Sequence, residues 1–257
     1  MRWILALSLI FSAAACNAKP AGDVPGKKGA EFVVTSEPVL LTAANGVKVY
    51  GSVYRAAKPK ALILLFHQAG SSKDEYTTIA PRLAEAGYSS LAIDQRAGGG
   101  LYGVNQTAKA LGREVRYREA RPDMQAALDW AQQQKLPIIL WGSSYSSALV
   151  FPLAADDPQG IVALLAFSPG EYFDGDPPIA AAAAKLQVPV FVFSTKDEAV
   201  DADPIIAALR KNPANVRFVP DHGVHGSSTL VVAKNPQGAQ ANWDAVLAFL
   251  NRVAPGK

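Results

Sequence analysis

The stretch LWGSSYSSAL, Leu140–Leu149, joins an apolar run to a run of small residues, and four serines crowd it. A serine hydroxyl is a weak nucleophile until a neighbouring base takes its proton. Ser144 follows Gly142 by two places, the spacing of the sharp strand-to-helix turn that lifts a nucleophile above a sheet. Ser143 lies out of phase, Ser146 has its glycine four residues back, and Ser147 suits packing or capping. The bland reading of Ser144 is a helix cap. The motif's second glycine is replaced by Ser146, which adds only a Cβ and a hydroxyl, so Ser146→Gly is expected to be tolerated.

A nucleophilic serine needs a histidine, and the histidine needs a carboxylate to hold its tautomer. Asp197 follows the apolar run VFVFSTK, and His225 lies a few residues beyond NVRFVP. Glu171 and Asp174 compete with Asp197, and His222 competes with His225. His67, at the end of ALILLFH, reads as a structural histidine.

The elements that must position these groups alternate in type. EPVLLTA and VKVYGSVYRA flank Asn45-Gly46 and read as an antiparallel pair. ALILLFH, YSSLAIDQR, LPIILWGS, IVALLAFS, VPVFVFST and NVRFVP read as further strands, mostly buried. Helices are expected over 72–87, RPDMQAALDWAQQQ, YSSALVFPLAADD, a short alanine-rich piece near 180, DPIIAALRKN and QANWDAVLAFLNRVA. In the first, Ser72 is placed to cap with Glu75 three residues on, and Pro81 to kink the helix. Such alternation implies an α/β fold with a mostly parallel sheet of about eight strands and helices on both faces. About 18 residues separate the strands ending at Ser168 and starting at Val188, too few for a large lid. The 97–117 loop is glycine-rich, then arginine-rich.

In such sheets, functional groups gather at the carboxyl ends of strands. LLFHQAGSSKDEY, AIDQRAGGG, WGSSYSSA, STKDEAVD and HGVHGSS stand there in order, and between residues 37 and 253 the chain resembles a lidless α/β-hydrolase of the dienelactone-hydrolase or small-esterase type. The order Ser144, Asp197, His225 is that family's order. The resemblance implies Ser144 as nucleophile, His225 as base and Asp197 as its orienting acid. The turn aims the Tyr145 amide at the substrate oxygen. The resemblance adds the Ala69 amide as second oxyanion donor, with Gln68 where relatives carry glycine. Gln68, Tyr102 and Tyr172 are candidate substrate contacts. Asp94 and Arg96 suit a lock beneath the site, and Arg113, Arg116, Arg118 and Arg121 a solvated face.

Length and composition fit one globular domain: 257 residues, 49% hydrophobic and 18% charged. A net charge of +3 with scattered basic residues gives no reason to expect nucleic acid. No histidine–carboxylate cluster at metal spacing appears, and no cofactor is expected. MRWILALSLIFSAAAC has a charged start, a short apolar core and small residues before Cys16, the one cysteine. Residues 1–15 therefore read as a signal peptide, 16–30 as a flexible tether and 31–257 as the α/β-hydrolase domain. Small residues before Cys16 resemble a bacterial lipobox. That implies lipidation at Cys16, export to the cell envelope, a periplasm-facing domain, and membrane contact through that anchor alone.

The expected function is a serine hydrolase that cleaves small or medium carboxylic esters through an acyl-enzyme. A peptidase or acyltransferase on the same triad, or a catalytically silent envelope binding protein, are the alternatives.

Overall fold

The computed structural model describes residues 35–173 and 178–256. The expected signal peptide, tether and Cys16 lie outside them, as does Asp174. Eight strands form one sheet: β1 Ser36–Thr42, β2 Lys48–Tyr54, β3 Ala61–Phe66, β4 Tyr88–Ile93, β5 Ile138–Ser143, β6 Ile161–Phe167, β7 Val190–Phe193 and β8 Val216–Phe218. Their order is β1-β2-β4-β3-β5-β6-β7-β8. β1 and β2 pair antiparallel around Gly46, which takes a positive φ of 83°, and β2 meets β4 antiparallel. Every pairing from β4 through β3 to β8 is parallel.

Seven helices are described: α1 Ile79–Glu85, α2 Gln106–Leu111, α3 Arg121–Gln132, α4 Tyr145–Asp156, α5 Ile179–Ala183, α6 Asp203–Ala208 and α7 Ala239–Val253. The two-residue repeat of a strand divides the core. In β3, Leu62, Leu64 and Phe66 join one apolar cluster, which includes Met124 and Leu128 of α3, Leu149 of α4, Ile179 of α5 and Ile205 of α6. Ala61, Ile63 and Leu65 join the other, with Ile79 and Leu83 of α1 and Trp243 and Phe249 of α7. Both faces of β3 are thus fully buried, which is why its sequence is a continuous apolar run. Each large side chain so buried contributes about 1.5–3 kcal/mol.

Two expectations change. The single kinked helix over 72–87 is a 3₁₀ turn, Lys73–Tyr76, followed by α1. Pro81 falls in the first turn of α1, where its missing N–H costs no hydrogen bond. The 97–117 loop contains α2, capped by the Asn105 side chain and ended by Gly112 at φ 68°. No inserted lid interrupts the described residues, and none of their helices is long and apolar enough to cross a membrane.

Candidate active site

β5 ends at Ser143 and α4 begins at Tyr145, so Ser144 alone makes the turn, at φ 56° and ψ −124°. A non-glycine residue in that region costs of order 1–3 kcal/mol and persists only where its surroundings hold it. The Ser144 amide donates to the Phe167 carbonyl at the end of β6. Gly142 lies where the turn folds back: a Cβ there meets the Ser147 Cα at 2.4 Å. The Ser146 hydroxyl, where the usual motif has glycine, accepts from the Ser143 amide at 2.9 Å and lies 2.8 Å from the Phe66 carbonyl of β3. Ser146 therefore fastens the elbow to the neighbouring strand, through bonds that the glycine expected to be tolerated there cannot make.

His225 stands in the loop after β8. Its Nδ1 is 2.5 Å from Oε1 of Glu198, not from Asp197. Asp197 is exposed and makes no hydrogen bond or ion pair among the described residues. Asp197, expected to orient His225, therefore does not contact it, and the neighbouring Glu198 does. The turn after β7 bonds the Glu198 amide back to the Thr195 carbonyl, and this brings the longer side chain toward the site. The other carboxylate oxygen of Glu198 accepts from Ser168 Oγ at 2.6 Å, and Ser168 Oγ in turn accepts from the Gly226 amide at 3.0 Å. Ser168, at φ 55° just past β6, thereby ties Glu198 to the histidine loop. Sequence reasoning missed it; its only signal was a polar residue at a strand end.

Burial alone pushes the Glu198 carboxyl up, but the hydrogen bonds from His225 and Ser168 outweigh it and hold the group down to about 2. The Glu198 bond raises His225 above its ordinary value, with burial opposing. The rivals have other work. Glu171 accepts from the Ile179 and Ala180 amides at the start of α5. His222 is exposed, and its carbonyl is held by Asn235 and Asn242.

The loop after β3 is braced from within. His67 is fully buried, and burial draws it down to about 4, so the ring is neutral. Its Nδ1–H donates to the Gln68 carbonyl at 2.8 Å, while Nε2 accepts from the Gln95 amide at 3.1 Å. The Ser71 amide donates to the same Gln68 carbonyl. In a trans peptide the next N–H points the opposite way, so fixing this carbonyl fixes the direction of the Ala69 N–H. The Tyr145 N–H opens α4, where helix geometry leaves it without an intrahelical acceptor. Neither amide donates to an acceptor among the described residues.

Gln68 is buried, and its Oε1 lies 3.6 Å from where a Cβ on Gly226 would stand. Tyr102 bonds Ser228 through its hydroxyl, and Lys234 sits over its ring. Tyr172 donates to the Ser168 carbonyl at 2.5 Å. Tyr172 also lines a cleft of about 770 Å³ with Phe173, Val115, Tyr117, Arg118 and Pro122. Ser144, Glu198 and His225 are not in its lining, but Tyr117 stacks on the ring of Tyr145 at 4.6 Å, which sets the cleft beside the elbow. Arg118 lies over the Phe173 ring at 4.9 Å, and Arg121 binds Asp156. The solvated face expected for the arginines is thus only partly so.

Beneath, Asp94 accepts from the Lys73 and Gln106 amides, and Arg96 is buried against Asp123 at 2.6 Å. Glu75, expected in a capping box, turns inward instead. It is 1% exposed and accepts from the Gln68 amide and the Ser143 hydroxyl. No group of three or more potential metal ligands gathers among the described residues.

Several solved structures share this fold. A dienelactone hydrolase from Anabaena variabilis superposes with a TM-score of 0.68 at 16% identity, covering 86% of this chain and 99% of that one. A thermostable carboxyl esterase from Bacillus coagulans gives 0.67 at 13% identity, over 86% and 100%. An esterase of Pyrococcus furiosus gives 0.64 at 18% identity, over 86% and 93%. Comparison with curated protein sequences gives no significant match. The family model described as serine aminopeptidase, S33, matches residues 57–219, well over half of the chain. With the strained elbow, the eight-stranded sheet and this match together, the chain belongs to the serine aminopeptidase S33 family of α/β hydrolases.

Proposed function

We propose that this protein is a serine hydrolase that cleaves carboxylic esters of small or medium acyl compounds through an acyl-enzyme. The observation that carries the reading is the coincidence of a strained serine elbow after β5 with a histidine after β8 held by Glu198 after β7, at the carboxyl edge of one parallel sheet. Ser144 Oγ attacks the ester carbonyl while His225 Nε2 takes its proton. Glu198 holds the Nδ1–H tautomer and steadies the imidazolium. The Ala69 and Tyr145 amides receive the oxyanion, each donor being worth about 3–4 kcal/mol of transition-state stabilisation. His225 then protonates the departing alcohol, and water repeats the sequence to release the acid. The cleft beside the elbow, where Arg116, Arg118 and Glu119 stand among apolar and aromatic residues, suits an acyl or alcohol group of modest size.

Reaction with a fluorophosphonate, followed by peptide mapping, tests the reading. Label on Ser144 with turnover of p-nitrophenyl esters supports it. Folded protein that takes no label and hydrolyses no ester favours a silent binding protein. The family's description favours a second reading, a peptidase. It gains if aminoacyl p-nitroanilides turn over faster than esters.

For location, we propose export and lipidation at Cys16, on the strength of the apolar N-terminal segment and the small residues before that cysteine. Cys16→Ser should move the protein from the membrane to the soluble fraction. Unchanged membrane association rules the anchor out.

A further inference from the structure

Two separate parts of the site meet at one buried carboxylate that the reaction above does not use, and a third joins them through Ser143. Glu75 Oε2 accepts from the Gln68 amide of the β3 loop at 2.8 Å. Glu75 Oε1 accepts from Ser143 Oγ at 2.7 Å, on the residue next to Ser144. Ser143 Oγ itself accepts from the Ser227 amide at 2.9 Å, two residues beyond His225. The junction is tight: Gly226 has a φ of +66°, and a Cβ there comes within 2.5 Å of Ser143 Oγ.

We propose that Glu75 is a positioning residue of the reaction: its ionised carboxylate joins the Gln68 amide to the Ser143 hydroxyl, and so sets the Ala69 donor in register with Ser144 and His225. This rests on the serine-hydrolase reading. Both carboxylate oxygens accept in this arrangement, and the anion makes each of the two bonds charge-assisted. Protonation at Oε1 reverses the bond to Ser143 and removes the charge that strengthens both contacts, which loosens the join between loop and elbow. Burial raises the Glu75 carboxyl to about 7, against the bonds from Gln68 and Ser143 and the attraction of His225. The other titratable groups facing it are Tyr76 of its own turn, Tyr102 of the 97–105 loop and Tyr145 of α4. All three are pushed up by burial and stay neutral near pH 7. Activity therefore needs two deprotonations on its acid side, at His225 and at Glu75.

The test is ester hydrolysis by the full chain across pH, with Glu75→Gln and Ser143→Ala. Glu75→Gln fills the same space but takes the charge out of both bonds and leaves the one to Ser143 reversed. The expected result is a 10–100-fold loss of kcat with KM changed less than twofold, because a donor out of register acts mainly in the transition state. On the acid side, log kcat/KM should fall with a slope approaching two in the wild type and one in Glu75→Gln. Ser143→Ala keeps the slope of two but moves the second ionisation to higher pH, since the anion loses a donor. Should Glu75→Gln fail to fold, the wild-type and Ser143→Ala profiles decide alone. An active wild type with a slope of one overturns this inference and leaves the triad standing. So does a Glu75→Gln variant with unchanged kcat. A wild type that neither reacts with fluorophosphonate nor hydrolyses esters overturns the serine-hydrolase reading itself.

Discussion

Replacing Glu198 by glutamine keeps its shape and removes its charge, and should separate it from Asp197. The Glu198 carboxyl sits at about 2 against an ordinary 4.5. At 1.36 kcal/mol per tenfold, that is roughly 3 kcal/mol of preference for the anion. Its side chain is 23% exposed, and solvent screening trims the figure to about 2 kcal/mol. Since the transition state carries the full imidazolium charge, the loss of charge alone predicts about a 30-fold drop in kcat. Glutamine can also present its amide to Nδ1 and favour the wrong tautomer, which extends the loss toward roughly 1,000-fold. Asp197→Asn, on an exposed side chain with no partner, should stay within twofold. The pH profile gives a second readout. The Glu198 bond raises His225, so the wild-type acid limb lies above pH 6.5. In Glu198→Gln the histidine gives up its proton more readily, and its part of the limb moves to lower pH. Steady-state hydrolysis of a p-nitrophenyl ester between pH 5 and 9 measures both. A large loss in Asp197→Asn beside a near-normal Glu198→Gln refutes the assignment.

Other outcomes follow from packing. Gly142→Ala drives a Cβ into backbone at 2.4 Å and should cost at least about 1–3 kcal/mol, seen as a lowered Tm. Ser146→Gly strands the buried Ser143 amide and should destabilise by about 1–3 kcal/mol in denaturant melts; an unchanged midpoint refutes the fastening role. Arg96→Met leaves Asp123 buried without its cation and should cost about 3–5 kcal/mol, measured in the same way. Ser168→Ala removes the link from Glu198 to the histidine loop, a bond worth about 1.5–3 kcal/mol, and should lower kcat about tenfold and the Tm by several degrees.

The sheet was legible because a strand buried on both faces has no alternative to an unbroken apolar run, as β3, β5, β6 and β7 show. The elbow was legible because Gly142 and Ser144 sit where β5 runs out. Three features were not. Glu198 differs from Asp197 by one residue in a turn, and hydrophobic pattern carries no information at that scale; reach along a side chain decides it. Glu75 obeys the spacing of a capping box, and only the tertiary surroundings turn it inward. The helix α2 did carry signals in Asn105 and Gly112, but six residues in a glycine- and arginine-rich stretch hold too short an apolar pattern to stand out.

The stacking of Tyr117 on Tyr145 bears on how such an enzyme can diversify. The proposed reacting groups hang from the ends of rigid strands, whereas the cleft wall is drawn from surface segments around 115–122 and 172–173. Drift in those segments can change which molecules are admitted while leaving the acid–base apparatus intact. Tyr145 is where this independence breaks down. Its backbone amide belongs to the proposed apparatus and its ring backs the wall. It is therefore the position at which a change of selectivity and a change of rate should be hardest to obtain separately.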